Sequence, residues 1–108
     1  MDSAKMNRII LEMRYLLRLE DWRISTVNDD RLADTNAFVS FEREEKRATI
    51  HFTEDVTERD IRHEMCHVLL HDMAYVASEG STVDRMTFYN MLEERVCNVL
   101  ADALDIEG

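Results

Sequence analysis

Apolar residues recur at three- and four-residue steps near the start of the chain: Met6, Ile9, Ile10, Met13, Leu16 and Leu17. Residues so spaced share one side of an α-helix, so an amphipathic helix over residues 3–20 is predicted, backing the core. The period then changes. Residues 22–27 alternate apolar and polar, the signature of a strand, and residues 29–35 are polar and loop-like. Residues 37–41 and 48–52 predict two further strands. The charged run 42–47 between them reads as the solvated turn of a hairpin. Thr57, with Asp60 three residues on, forms a capping-box pair that opens a second helix reaching about Ala77. Residues 78–82 predict a loop, and Ser81 or Thr82 caps a third helix ending near Leu104. The order helix, strands, helix, helix is that of an α+β fold.

Composition narrows this picture. With 108 residues the chain has material for one domain and one modest core. It has no proline and two glycines, which favours long helices joined by short loops. A formal net charge of -10 repels phosphate, so neither nucleic acid nor an anionic membrane is an expected partner. A basic peptide or protein would be attracted. No segment approaches the roughly 20 apolar residues of a membrane span, and residues 1–20 lack a secretory pattern. Two cysteines, Cys66 and Cys97, are too few for a disulfide framework. The expectation is a cytoplasmic protein with free thiols.

The chemistry concentrates in His63-Glu64-Met65-Cys66-His67, an HExxH motif inside the second predicted helix. Residues four apart stand one above the other on a helix. Two imidazoles so placed can reach one Zn²⁺ at about 2.0–2.1 Å. Glu64 projects beside them without ligating, where it can act as general base on a water at the ion. The helix has a separate apolar arc through Ile61, Met65, Leu69 and Val76, opposite His63, His67 and His71.

Catalytic zinc takes a third protein ligand and keeps one position open. His71 continues the four-residue series, but it lies about 12 Å along the axis from His63, too far to share an ion. The helix would have to break to bring it back, and no glycine occurs between His67 and Gly80. His71 is therefore expected to line the cleft or orient a ligand. The third helix offers Glu93 and Glu94. If Glu94 faces the metal, Cys97, Asn98 and Ala101 share its face, and Asn98 could orient a ligand histidine. Glu93 instead falls in the arc of Met86, Tyr89, Val96, Leu100 and Leu104, where a carboxylate is costly unless paired or metal-bound.

These residues resemble a family. The stretch from His63 to His71, followed by Glu94, Cys97, Asn98 and Ala101, is similar to the gluzincin metallopeptidases, and closest to compact ImmA/IrrE-type and phage-encoded HExxH proteins. Such proteins show a glutamate on a later helix, a small residue three on, Asn or Asp four on and Ala seven on. The resemblance covers about residues 45–104 and favours Glu94 over Glu93 as the third ligand. It implies a minimal zincin-like fold: N-terminal helix, small three-stranded sheet, HExxH helix and C-terminal ligand helix. It also implies one Zn²⁺ per chain, and an edge strand over residues 48–52 that binds an extended substrate. Two departures stand out. Cys66 occupies the place of the usual small residue before the second histidine, and the proline that often closes the ligand helix is absent.

The expected reaction is hydrolysis of a peptide bond in a protein or peptide, with Glu64 as the base. A tetrahedral oxyanion needs a further donor, for which His71, Tyr75 and Tyr89 are candidates. Two rival readings exist. One is a non-catalytic, zinc-containing interaction module of phage origin; four protein ligands would mark a structural ion. The other is a helical adaptor with no metal.

Overall fold

The computed structural model describes residues 1–32, 34–78 and 83–105, leaving aside the side chains at 72, 74–78, 83–85 and 105. The first helix, α1, spans Ser3–Leu16, and the Asp2 carboxylate caps it by accepting the Lys5 N–H at 2.7 Å. Its buried row is Met6, Ile9, Ile10 and Met13, the period read from the sequence. It ends four residues earlier than that period predicts. Arg18 adopts a left-handed conformation at φ 58°. Its N–H bonds Tyr15 O at 3.3 Å, and the Leu19 N–H bonds Arg14 O at 2.8 Å. This is a Schellman closure built without glycine. Its strain is offset by the burial of Leu19 and Trp22 just beyond it.

Three strands follow: β1 (Arg23–Asn28), β2 (Ala37–Glu42) and β3 (Arg47–Phe52). β2 and β3 form an antiparallel hairpin, with Ala37 opposite Phe52 and Glu42 opposite Arg47. A 3-10 turn, Arg43–Glu45, and Lys46 at φ 50° close it. β1 joins the other side of β3 in parallel register, Arg23 opposite Arg47, so the order is β1-β3-β2. The strand expected at the edge, residues 48–52, is therefore the central one. A hairpin pattern is local and visible in sequence; the parallel partner that encloses β3 is not. Ala48 and Ile50 are consequently fully buried, and β2 is the edge strand nearest the helices.

Two long helices complete the fold, α2 (Glu58–Ser78) and α3 (Val83–Asp105). The capping box at the start of α2 is reciprocal: the Thr57 N–H reaches Asp60 Oδ2 at 2.9 Å and the Asp60 N–H reaches Thr57 Oγ1 at 3.2 Å. Of the loop expected over residues 78–82, Ser78 instead ends α2, and residues 79–82 with the expected cap lie outside the described residues. α2 crosses the core with Ile61, Met65, Cys66 and Val68 buried, each large side chain contributing about 1.5–3 kcal/mol. Cys97 and Ala101 of α3 are fully buried, and their small size lets α3 approach α2 closely. The result is an α+β fold of three helices and a small mixed sheet around one contiguous core. Among the described residues no helix is long and apolar enough to cross a membrane.

Candidate metal centre

Arg59, His63 and His67 follow one another at four-residue steps along α2, and Glu94, Asn98 and Asp102 do so along α3. The two rows face each other. Arg59 Nε donates to Asp102 Oδ1 at 2.5 Å, and its Nη2 donates to Asn98 Oδ1 at 3.3 Å. One turn on, His63 Nε2 lies 2.7 Å from Glu94 Oε1, and His67 Nε2 lies 3.2 Å from Glu94 Oε2. The two Nε2 atoms are 3.2 Å apart. The other ring nitrogen of His67, Nδ1, lies 2.8 Å from Glu93 Oε1. Both glutamates thus point at the histidines, from opposite sides of His67.

Glu64 sits against this group, its Oε2 4.0 Å from His63 Nε2. It is 8% exposed, and burial pushes its carboxyl up to about 7. The His67 ring pulls the other way, Glu94 adds to the rise, and the backbone amide of Val39 on β2 favours the charged form. Burial also pulls His63 below its ordinary value, against the raising effect of Glu94. The thiols resist ionisation as well: burial raises Cys66 to about 11 and raises Cys97 further. Neither offers a thiolate at neutral pH without a metal to displace its proton.

A cavity of about 330 Å³ opens over the site. Its described lining brings His63, Glu64, His67, Glu94 and Asn98 together with Arg59 and Asp60, and with Thr35, Ala37 and Phe38 at the start of β2. A larger cavity of about 580 Å³ touches it at Thr35 and is walled by Asp30, Asp34, Glu54 and Asp55. The larger one has no imidazole in its described lining, so the histidines open onto the smaller cavity.

Not every expected site residue arrives here. Asn98 lines the cavity but accepts from Arg59, and the contact expected of it is made by Glu93. His71 is absent from the described lining; its ring stacks on Phe41 at 3.8 Å and meets Trp22 edge-on at 5.8 Å. Eight residues of helix carry it about 80° round the axis from His63, enough to turn it from the cleft to the sheet. Tyr89 is absent from the described lining; burial and nearby Glu93 raise its hydroxyl. The Tyr75 side chain lies outside the described residues. The sequence reading missed Arg59, although it stands one turn before His63, and missed the approach of β2, which no local signal announces.

The donor set suits zinc. Ligand atoms about 2.0–2.1 Å from a tetrahedral ion stand roughly 3.3 Å from one another. The two Nε2 atoms, 3.2 Å apart, have that spacing, and Glu94 flanks them through different oxygens, Oε1 at 2.7 Å from His63 and Oε2 at 3.2 Å from His67. His63 Nδ1 is buried with no hydrogen-bond partner among the described residues, so nothing there competes for its ring. A second group, His67, Glu93 and Cys97, also clusters, with Cys97 as its buried member. Compared with known proteins, the chain matches no family model, no curated protein and no solved structure.

Proposed function

We propose that this chain is a zinc-dependent metallopeptidase of minimal zincin-like type. The observation that carries the reading is convergence: His63 Nε2, His67 Nε2 and the Glu94 carboxylate meet at the floor of a cavity, beside the buried carboxylate of Glu64. His63, His67 and Glu94 would hold one Zn²⁺. Bound there, zinc supplies Lewis acidity that polarises a carbonyl and makes water nucleophilic near neutral pH. Glu64 takes the proton from the attacking water on its carboxylate and returns it to the leaving amine. Its burial keeps bulk water from levelling that transfer.

The remaining residues bind and orient. β2 is the exposed sheet edge at the cavity, with Ala37 and Phe38 in its wall, so an extended peptide would lie along β2. Arg59, braced by Asn98 and Asp102, is the permanent cation of the described lining. It takes over from Tyr89 as the donor expected to face the substrate's carbonyl oxygen.

The test is Glu64→Gln. Zinc-loaded wild type should cleave a mixed peptide library, and the variant should bind equal zinc and lose at least about 10²-fold in rate. Equal rates in the two proteins would end the peptidase reading. A second reading, an interaction module, draws on the exposed Phe88, Met91 and Val99 of α3. It predicts a biological effect that survives Glu64→Gln.

A further inference from the structure

The two neighbouring glutamates of α3 make different contacts with the histidines. Glu94 is half-exposed, its side chain 55% accessible, and both its oxygens reach towards Nε2 atoms. Glu93 is 12% accessible and engages the opposite side of the His67 ring, at Nδ1. An ionised carboxylate only accepts hydrogen bonds, so the 2.8 Å contact with Glu93 favours a proton on Nδ1 over one on Nε2, whose contact with Glu94 is longer at 3.2 Å. In a neutral imidazole that proton forces the lone pair onto Nε2, the atom that faces His63 and Glu94.

Resting on the metal-site reading above, we propose that Glu93 is a positioning residue: its carboxylate holds His67 in the Nδ1–H tautomer and fixes the ring with Nε2 aimed at the ion. Three observations favour this over Glu93 as a ligand. Its oxygen lies at Nδ1, while the group formed by His63, His67 and Glu94 gathers at the Nε2 atoms. It is more enclosed than Glu94, as a group that orients rather than exchanges should be. And it occupies the role that Asn98 vacates by accepting from Arg59. The enclosure that makes an unpaired carboxylate costly at residue 93 also strengthens its bond to the ring. His63 has no such support, since its Nδ1 is without a hydrogen-bond partner among the described residues. The two metal-binding histidines are therefore unequal, and the orientation of the site depends on the Glu93–His67 pair.

The experiment compares wild type, Glu93→Gln and Glu93→Ala by zinc competition titration and by the visible spectrum of the Co²⁺-substituted proteins. The Gln side-chain oxygen can still accept from Nδ1, so Glu93→Gln should hold zinc within a few-fold of wild type and keep its Co²⁺ band shape. Glu93→Ala should bind zinc about 10–100-fold more weakly. If Glu93→Gln falls as far as Glu93→Ala and its Co²⁺ bands change, Glu93 is a ligand and the proposal is overturned. Equal zinc affinity in all three proteins overturns it as well. Wild type that binds no zinc sinks the metal-site reading itself, a separate outcome. Should Glu93→Ala fail to fold, the His67 ring nitrogens of zinc-loaded wild type and Glu93→Gln can be read by ¹⁵N NMR. A protonated Nδ1 with Nε2 bearing the metal is expected in both, and the reverse assignment overturns the proposal.

Discussion

Burial of the Glu64 carboxylate between α2 and β2 makes its ionisation costly, and the stability of the metal-free protein should record that cost. An ordinary glutamate ionises near 4.5, whereas Glu64 in the fold does so near 7. Below pH 4.5 the side chain is protonated in both the folded and unfolded chain, and the group exerts no penalty. Between 4.5 and 7 the unfolded chain releases the proton while the folded one keeps it, so stability falls as pH rises. Above 7 the loss is complete and amounts to at most about 3 kcal/mol. Glu64→Gln removes this dependence. Urea unfolding in the presence of a chelator should show the variant gaining on wild type from pH 4 to pH 8. A constant difference across that range would mean the carboxylate is not held in the apolar position described. The same position suits a proton carrier, because a buried group in a cleft exchanges its proton with bound partners rather than with bulk water.

Between elements, the joint of α1 and α2 depends on one buried charge. Arg62 is 2% exposed; its Nη2 lies 2.7 Å from Glu58 Oε1 and 3.5 Å from Glu12 Oε1, and its Nη1 meets Met13 Sδ at 3.2 Å. Removing a partner from a buried pair costs more than removing the pair, because the stranded charge keeps its desolvation penalty. Glu58→Ala leaves the buried guanidinium with only the longer Glu12 contact and should destabilise the protein by about 1–3 kcal/mol, and Arg62→Met, which leaves two partly exposed carboxylates free to hydrate, by less, in chemical denaturation at neutral pH. Equal losses would mean that Arg62 rehydrates when Glu58 is gone. The second joint, α2 against α3, is set differently. Cys66, Cys97 and Ala101 bring the helices close, and the Arg59–Asp102 contact closes the end of the row that carries the histidines. The His63, His67 and Glu94 side chains thus stand on two rigid helices rather than on loops, which holds their separations.

At the scale of the whole molecule, charge decides what can approach. The net charge is -10, and the acidic cavity of Asp30, Asp34, Glu54 and Asp55 adjoins the cavity of His63 and His67 at Thr35. Such a field draws basic peptides and repels acidic ones, and salt weakens it over a Debye length of about 10 Å at 0.1 M. On the proposed peptidase reading, kcat/KM for a Lys-rich peptide should fall several-fold between about 0.02 and 0.5 M NaCl, while an uncharged peptide of equal length should change little. A flat salt profile for the basic peptide would remove long-range attraction from the account. Exposed apolar side chains on α3, Phe88, Met91 and Val99 among them, lie outside the cavity of His63 and His67 and take no part in this attraction.

Local periodicity and short-range chemistry, legible in the chain itself, determined the helix at the N-terminus, the hairpin, the capping box at Thr57 and Asp60, and the pairing of His63 with His67 one turn apart. Each depends on residues close in sequence, which share geometry whatever surrounds them. Tertiary structure decided what distance in sequence conceals. It placed β3 in the centre through a parallel partner, so that β2 became the edge at the cavity. It ended α1 early because burying Leu19 and Trp22 outweighed four more residues of helix. It turned His71 to Phe41 and Trp22, and it brought Arg59 to Asp102. Between Glu93 and Glu94 the sequence held two arguments, a shared face and an apolar arc, and only the family resemblance tipped them towards Glu94. The fold gives each its own nitrogen, because His67 has two, and only the rotation of α3 against α2 determines which carboxylate meets which.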